Sequence, residues 1–162
     1  MTSPARRATL FALARVRRDR AFSGIVVAQM RETAGLSEPD AALATRLTYG
    51  VLSAEGVLDD AIDRHARRAL EPRVRDVLRV AAYEALFSRT PGYALVTQAV
   101  DAVRTIRPQA AGLANAVMRR VVEDAASFPW GDPAVDRDAL ARVTAHPRWI
   151  VDLVLDGAGE DL

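Results

Sequence analysis

The strongest constraint on this chain is an apolar pattern of helical period that returns along almost its whole length. Between residues 74 and 81, for example, the apolar side chains are Val74, Val77, Leu78 and Ala81. Spacings of three and four residues place these side chains on one face of an α-helix. No segment alternates with the period of two that a half-buried strand requires. The sequence therefore predicts an all-α helical bundle of about seven helices.

Residues that favour helix starts precede several of the predicted helices. Ser3 precedes Pro4, Ser37 lies just before a proline, and Glu71 precedes Pro72. Serine satisfies free backbone amides at a helix N-terminus, and proline is tolerated in the first turn. Proline at position 108 predicts the start of the seventh helix. Gly50 falls inside the third helix, where glycine is unfavourable, so we expect a close helix contact there.

The composition changes after residue 126. Residues 128–133 read FPWGDP, which is typical of a linker because proline and glycine interrupt regular structure. Two short helices are predicted beyond it, over residues 136–144 and 147–156. The predicted organisation is a helical domain over 1–126 and a linker with short helices over 127–162. We expect this tail to dock partly on the bundle through Trp149, and deletion after Ala126 to leave the bundle folded.

Several classes of chemistry are excluded or disfavoured by the composition. The 162 residues include no cysteine, so thiolate metal sites and cysteine nucleophiles are excluded. His65 and His146 are too far apart for a local metal motif, and His65 is predicted to pack near the core edge. The acidic cluster at Asp59, Asp60 and Asp63 is interpreted as surface charge. We predict no metal and no cofactor. No apolar run is long enough to span a membrane, and a cytoplasmic location is expected.

The positive charge is carried by arginine alone, since all 22 basic residues are arginine, although the formal net charge is only +1. Guanidinium groups bind phosphate through flat, paired donors and can stack on bases. Helical spacing places Arg7, Arg15 and Arg18 on one face of the first helix, with Arg6 at its start. These residues are the predicted RNA contacts. A second candidate pair ends the last core helix, at Arg119 and Arg120.

Five segments, taken in order, resemble a known family. They are residues 48–52 (TYGVL), 78–84 (LRVAAYE), 91–94 (PGYA), 106–109 (IRPQ) and 112–120 (GLANAVMRR). The chain is similar to the NusB domain, an all-helical RNA-binding fold, and its arginine-rich first helix supports the predicted contacts. The IRPQ segment and residues 146–151 (HPRWIV) are more specifically similar to the ribosomal RNA cytosine-5 methyltransferases of the RsmB, Sun or Fmu family.

The resemblance implies a non-catalytic, ribosomal RNA-recognition domain of such a methyltransferase. Those enzymes require two cysteines and a glycine-rich S-adenosylmethionine loop, and this sequence has neither. The partner would be RNA, with a methyltransferase domain in the same polypeptide. Two alternatives remain open. The first alternative is a free-standing NusB-type antitermination factor that binds RNA with a ribosomal protein. The second is a helical protein–protein interaction module.

Overall fold

The computed structural model describes residues 3–88 and 90–157, and within these ranges the regular structure is helical. The prediction of an all-helical bundle is therefore confirmed. The helices are α1 (Pro4–Asp19), α2 (Ser23–Thr33), α3 (Glu38–Ser53), α4 (Glu55–Asp63), α5 (Pro72–Phe87), α6 (Gly92–Ile106), α7 (Ala111–Ala125), α8 (Arg137–Thr144) and α9 (Arg148–Gly157). None of them is long and apolar enough to cross a membrane.

Helix α5 lies at the centre of the bundle. It contacts α1, α3, α4, α6 and α7, because apolar side chains occupy most of its circumference. The core around it is built from fully buried aliphatic side chains, which include Leu47, Leu58, Ile62, Leu78, Val103 and Met118. A smaller cluster joins α1, α2 and α3 through alanines and short aliphatic residues. Small side chains on α1 let the first three helices approach closely, which fixes α1 along one edge of α5.

The predicted helix starts are present, with one difference. The side chains of Ser3, Ser37 and Glu71 accept hydrogen bonds from backbone amides of the first turns of α1, α3 and α5. These caps satisfy amide donors that have no partner inside the helix. Pro108, however, begins a single 3₁₀ turn over Pro108–Ala110, and α7 follows from Ala111.

Gly50 lies where α3 crosses α5. A β-carbon at this position would overlap the ring of Tyr83, which packs directly over the glycine. The predicted close contact is therefore present, and it explains why a residue unfavourable to helices is placed mid-helix. A larger residue at position 50 would force Tyr83 away from α3.

The tail packs on the bundle through Trp130, so the expectation of docking through Trp149 is wrong. Phe128 packs edge-on against Phe87 of α5 at 5.3 Å, and Trp130 packs edge-on against Phe128 at 5.2 Å. Arg64 lies over the Trp130 ring at 4.0 Å. The side chain of Trp149, by contrast, is 65% exposed on α9. An aromatic residue inside the linker makes the contact because Phe87 ends α5 beside the linker.

Helices α8 and α9 form a hairpin that carries several exposed ion pairs. Arg137 donates to Asp152 at 2.9 Å and to Asp156 at 2.7 Å. Arg148 donates to Asp138 at 2.5 Å and to Asp152 at 2.9 Å. The residues Ala139, Ala141 and Val151 are buried, whereas Trp149, Leu153, Val154 and Leu155 of α9 are exposed.

Candidate nucleic-acid interface

A groove of about 1030 Å³ lies between α1, the start of α5 and the end of α6. Its walls carry arginine side chains from all three helices, namely Arg7, Arg17, Arg18, Arg73 and Arg104. Its acidic lining residues are Glu71, Asp76 and Asp101, so positive charges exceed negative ones along the groove. Packing of α1 against α5 and of α5 against α6 brings these three helix segments together.

Several of these arginines reach solvent. The Arg18 side chain is 74% exposed, and its one partner among the described residues is its chain neighbour Asp19, at 2.6 Å and 3.1 Å. Arg104 pairs with Asp101 one helical turn earlier at 3.4 Å. The Arg73 guanidinium has no hydrogen-bond or ion-pair partner among the described residues. Exposed pairs of this kind contribute little to stability, so a phosphate can replace the carboxylate at small cost.

The floor of the groove is an ion pair between the partly exposed Arg17 and the buried Asp76. Arg17 Nη1 donates a hydrogen bond to Asp76 Oδ2, and Arg79 Nη1 lies 3.6 Å from Asp76 Oδ1. Burial raises the pKa of Asp76, and the hydrogen bond and charge of Arg17 oppose that rise. Arg17 therefore links α1 to α5 and balances the buried charge, so its role is structural.

Arg6, a predicted RNA contact, faces inward. Its Nε donates to Glu84 Oε2 at 2.9 Å and its Nη2 donates to Glu84 Oε1 at 2.6 Å. The side chains of Arg6 and Glu84 are only 16% and 3% exposed. Because Glu84 is buried, this paired contact holds the N-terminus of α1 against α5. Arg6 has no comparable freedom to bind phosphate.

The other predicted arginines are distributed over different surfaces. Arg7 and Arg18 line the groove, whereas Arg15 turns toward α2 and donates to Gln29 Oε1 at 2.8 Å. Arg119 and Arg120 are exposed on α7, where Arg120 bonds Glu123 at 3.1 Å. Neither lines the groove. The expected single face of Arg7, Arg15 and Arg18 is thus divided by the packing of α2.

Sequence reasoning missed Arg73 and Arg104. Each follows the helical pattern as an ordinary solvent-facing residue of its own helix, and only the packing of α5 and α6 beside α1 places them near Arg18. It also missed Phe11, whose side chain is 62% exposed on the same wall as Arg7. The spacing of Arg7, Phe11 and Arg18 along one stripe of α1 was an available signal.

Two of the three acidic residues considered earlier, Asp59 and Asp63, belong to a structural network with arginines of α5, whereas Asp60 is exposed. Asp59 accepts from Arg79 at 2.6 Å and from Arg75 at 2.9 Å, and Asp63 accepts from Arg75 at 2.8 Å. Burial alone would raise the pKa of Asp59, but hydrogen bonds from Arg79 and Arg75 outweigh it and lower that pKa. Among the described residues, no group of three acidic, histidine or cysteine side chains could hold a metal ion.

His65 occupies the predicted position at the edge of the core. Its Nε2 lies 2.8 Å from Asp124 Oδ2, and the side chain is largely buried between α4 and α7. This contact joins the segment that follows α4 to helix α7. His146 is exposed, and its backbone amide donates to the carbonyl of Ala141 at 3.0 Å, which closes the turn between α8 and α9.

Fold and groove together define the class of this molecule as an all-α bundle domain with a cationic groove along its first helix. The model of the NusB family matches residues 3–123, which include α1 to α6 and nearly all of α7. The chain belongs to the NusB family. The family match ends before the linker and the hairpin of α8 and α9.

Similar proteins include methyltransferases. A putative methyltransferase of Mycobacterium tuberculosis is 36% identical over an alignment of 166 positions. The alignment covers 96% of this chain and 36% of that protein. The ribosomal RNA small subunit methyltransferase B of Erwinia tasmaniensis is 31% identical over 121 residues, covering 72% of this chain and 27% of that protein. The chain therefore spans about a third of the length of the curated relatives it matches.

Proposed function

We propose that this chain is the RNA-recognition domain of a ribosomal RNA cytosine-5 methyltransferase and acts in the cytoplasm. The groove between α1, α5 and α6 binds the phosphate backbone of ribosomal RNA and orients the enzyme on it. The chain contributes binding and positioning, because it has no cysteine to attack the base. Domain 1–126 performs this role, and residues 127–162 connect it to the methyltransferase domain.

The observation that carries the proposal is the convergence of exposed arginines from three helices on one groove. A surface that tracks an RNA backbone needs several cations along a path, since each phosphate contact releases counterions. Membership of the NusB family and similarity to a ribosomal RNA methyltransferase support the choice of RNA. The sequence segments IRPQ and HPRWIV support the methyltransferase over a free-standing antitermination factor.

Substitution of three groove arginines tests this function. We expect Arg18→Ala, Arg73→Ala and Arg104→Ala together to weaken binding of a single-stranded RNA and to reduce the slope of log K against log salt by about 2 units, at about 0.7 unit per contact. Alanine is the best helix former, so the helices persist. Fluorescence anisotropy at several salt concentrations measures the slope.

The matched control removes the same charge elsewhere, at arginines that are not candidate RNA contacts, through Arg46→Ala, Arg67→Ala and Arg68→Ala. All three side chains are exposed and lie outside the groove. If the control variant loses as much slope as the groove variant, net charge rather than the groove governs binding. If the groove variant keeps the wild-type affinity and slope, the groove is not the RNA site.

A second candidate function, a protein-interaction module, is favoured by the exposed face of α9. Trp149, Leu153 and Val154 are each at least 60% exposed on this short helix. Large exposed apolar side chains that cluster on one face mark a contact surface. The partner would be the methyltransferase domain of the same polypeptide or a ribosomal protein. Failure of the wild-type chain to bind any RNA would favour this function over the first.

A further inference from the structure

A second cavity, of about 600 Å³, lies on the other side of α1 from the arginine groove. Its walls come from α1, from the end of α2 and from the connection into α3. The apolar part includes Met30 and Leu36, and the polar part includes Asp40. This volume exceeds that of a nucleobase, and the cavity is open to solvent on one side.

The cavity and the arginine groove share a wall. Arg7 and Phe11 line both of them, so these two side chains form the ridge that separates the cavity from the groove. Phe11 is exposed on this ridge although it is a large apolar residue. An RNA strand whose phosphates follow the groove passes directly beside the ridge. One of its bases can then turn over Phe11 toward the cavity and stack on the ring.

Hydrogen-bond acceptors line the far side of the cavity. Asp40 Oδ2 accepts from the Ser37 hydroxyl at 3.0 Å, while Oδ1 has no hydrogen-bond partner among the described residues. Helix α2 ends at Thr33, and its last turn together with Gly35 lines the same wall. The final carbonyls of a helix lack partners within it and carry partial negative charge. The wall therefore matches a ligand that donates hydrogen bonds.

We propose that this cavity receives one unpaired nucleobase that carries an exocyclic amino group, with Phe11 as the stacking surface and Asp40 as the acceptor. The inference rests on the proposed function, since the base belongs to the strand in the arginine groove. Cytosine satisfies this requirement through its N4 amino group, whereas uracil presents a carbonyl oxygen at the corresponding atom and is repelled by the carboxylate. The groove supplies affinity and the cavity supplies base preference.

Cytidine and uridine octamers are matched probes because their bases differ only in the group at position 4 and in the proton on the adjacent N3. We expect the wild-type chain to bind the cytidine octamer about fivefold more tightly than the uridine octamer. Asp40→Asn removes the charge but keeps the side-chain shape, and it should abolish that ratio while leaving the salt slope unchanged. Glu38→Gln, in the same helical turn but outside the cavity, is the control and should retain the ratio.

Phe11→Leu tests the stacking surface separately. It should weaken binding of both octamers about tenfold and preserve their ratio, because base stacking is tolerant of base identity. Phe22→Leu, which removes an exposed phenylalanine outside both cavities, should change neither value. Circular dichroism verifies that each variant is folded.

The outcomes separate the two proposals. Salt-dependent binding of both octamers with equal affinity would overturn the base cavity and leave the arginine groove intact. A cytidine preference that survives Asp40→Asn would also overturn the proposed base cavity. So would an unchanged affinity of the Phe11→Leu variant for both octamers. Failure of the wild-type chain to bind either octamer at low salt would overturn both proposals.

Discussion

Arginine–carboxylate pairs occur in two regions of this molecule with opposite surroundings. Inside the bundle, the acids Glu84 and Asp76 are buried, and Arg6 and Arg17 reach in from α1 to pair with them. In the hairpin of α8 and α9, both partners of each pair are substantially exposed, as they are for Arg148 and Asp138.

The difference concerns what each pair does for the fold. A buried carboxylate without its partner is strongly destabilising, so each inner pair enforces one position of α1 on α5. An exposed pair is screened by water and salt and constrains its helices weakly. The same residue type therefore fixes the position of α1 in the bundle, whereas in the hairpin it constrains the two short helices only weakly. The groove arginines Arg18, Arg73 and Arg104 have no buried acidic partner among the described residues, so they can bind a ligand.

The largest expected effect follows removal of an inner acid. Glu84→Ala leaves the Arg6 guanidinium largely buried without its partner, and we expect the free energy of unfolding to fall by about 3 kcal/mol. Asp138→Ala, which breaks an exposed hairpin pair, should leave unfolding unchanged within error. Urea denaturation compares the two variants. Similar losses in both would show that burial does not distinguish the pairs.

An intermediate effect is expected for the two tryptophans. Trp130→Ala removes the ring between Phe128 and Arg64, and we expect a loss of about 1–2 kcal/mol, or a few degrees in melting temperature. Trp149→Ala removes an exposed side chain and should leave the melting temperature unchanged. Differential scanning calorimetry measures both. Deletion after Ala126 also removes Phe128 from its contact with Phe87, so it should lower the melting temperature slightly further than Trp130→Ala while leaving the bundle folded.

The smallest effect is a dependence on pH at Asp59. The pKa of Asp59 lies below its ordinary value of 3.8, because hydrogen bonds from Arg79 and Arg75 outweigh burial. Its contribution to stability is therefore present above pH 3.8 and lost as pH falls through the lower folded-state pKa. Asp59→Asn should lower the melting temperature at pH 7, and the deficit should shrink as the pH falls below 3.8. Asp60→Asn is the control. A deficit that is constant with pH would exclude this linkage.

Local sequence signals predicted most of the fold. Helix starts at Ser3, Ser37 and Glu71 agree with the structure because a cap depends only on the residues of the first turn. The two short tail helices were also predicted close to their observed bounds. Apolar periodicity identifies the buried face of a helix, as at Val74 and Leu78, without identifying the helix that covers it.

The candidate site was predicted only in part, because it depends on contacts between distant residues. Arg7 and Arg18 could be placed on α1 from spacing, but Arg73 joins them only through the packing of α5 beside α1. The pairing of Arg6 with Glu84 spans 78 residues, and no local pattern reports it. The docking of the tail through Trp130 instead of Trp149 has the same origin. Phe128 packs on Phe87 at the end of α5, and Trp130 packs on Phe128.

The absence of a side chain at Gly50 has a consequence far from α3. Tyr83, which packs over Gly50, stacks on Phe87 at 5.4 Å, and Phe87 begins the ring contacts that continue through Phe128 to Trp130. A single methyl group added at residue 50 would displace the ring of Tyr83. Because each ring packs on the next, Phe87, Phe128 and Trp130 would have to shift as well. The position of Trp130, and with it the packing of the tail, thus depends on the missing side chain of Gly50, about 80 positions earlier in the chain.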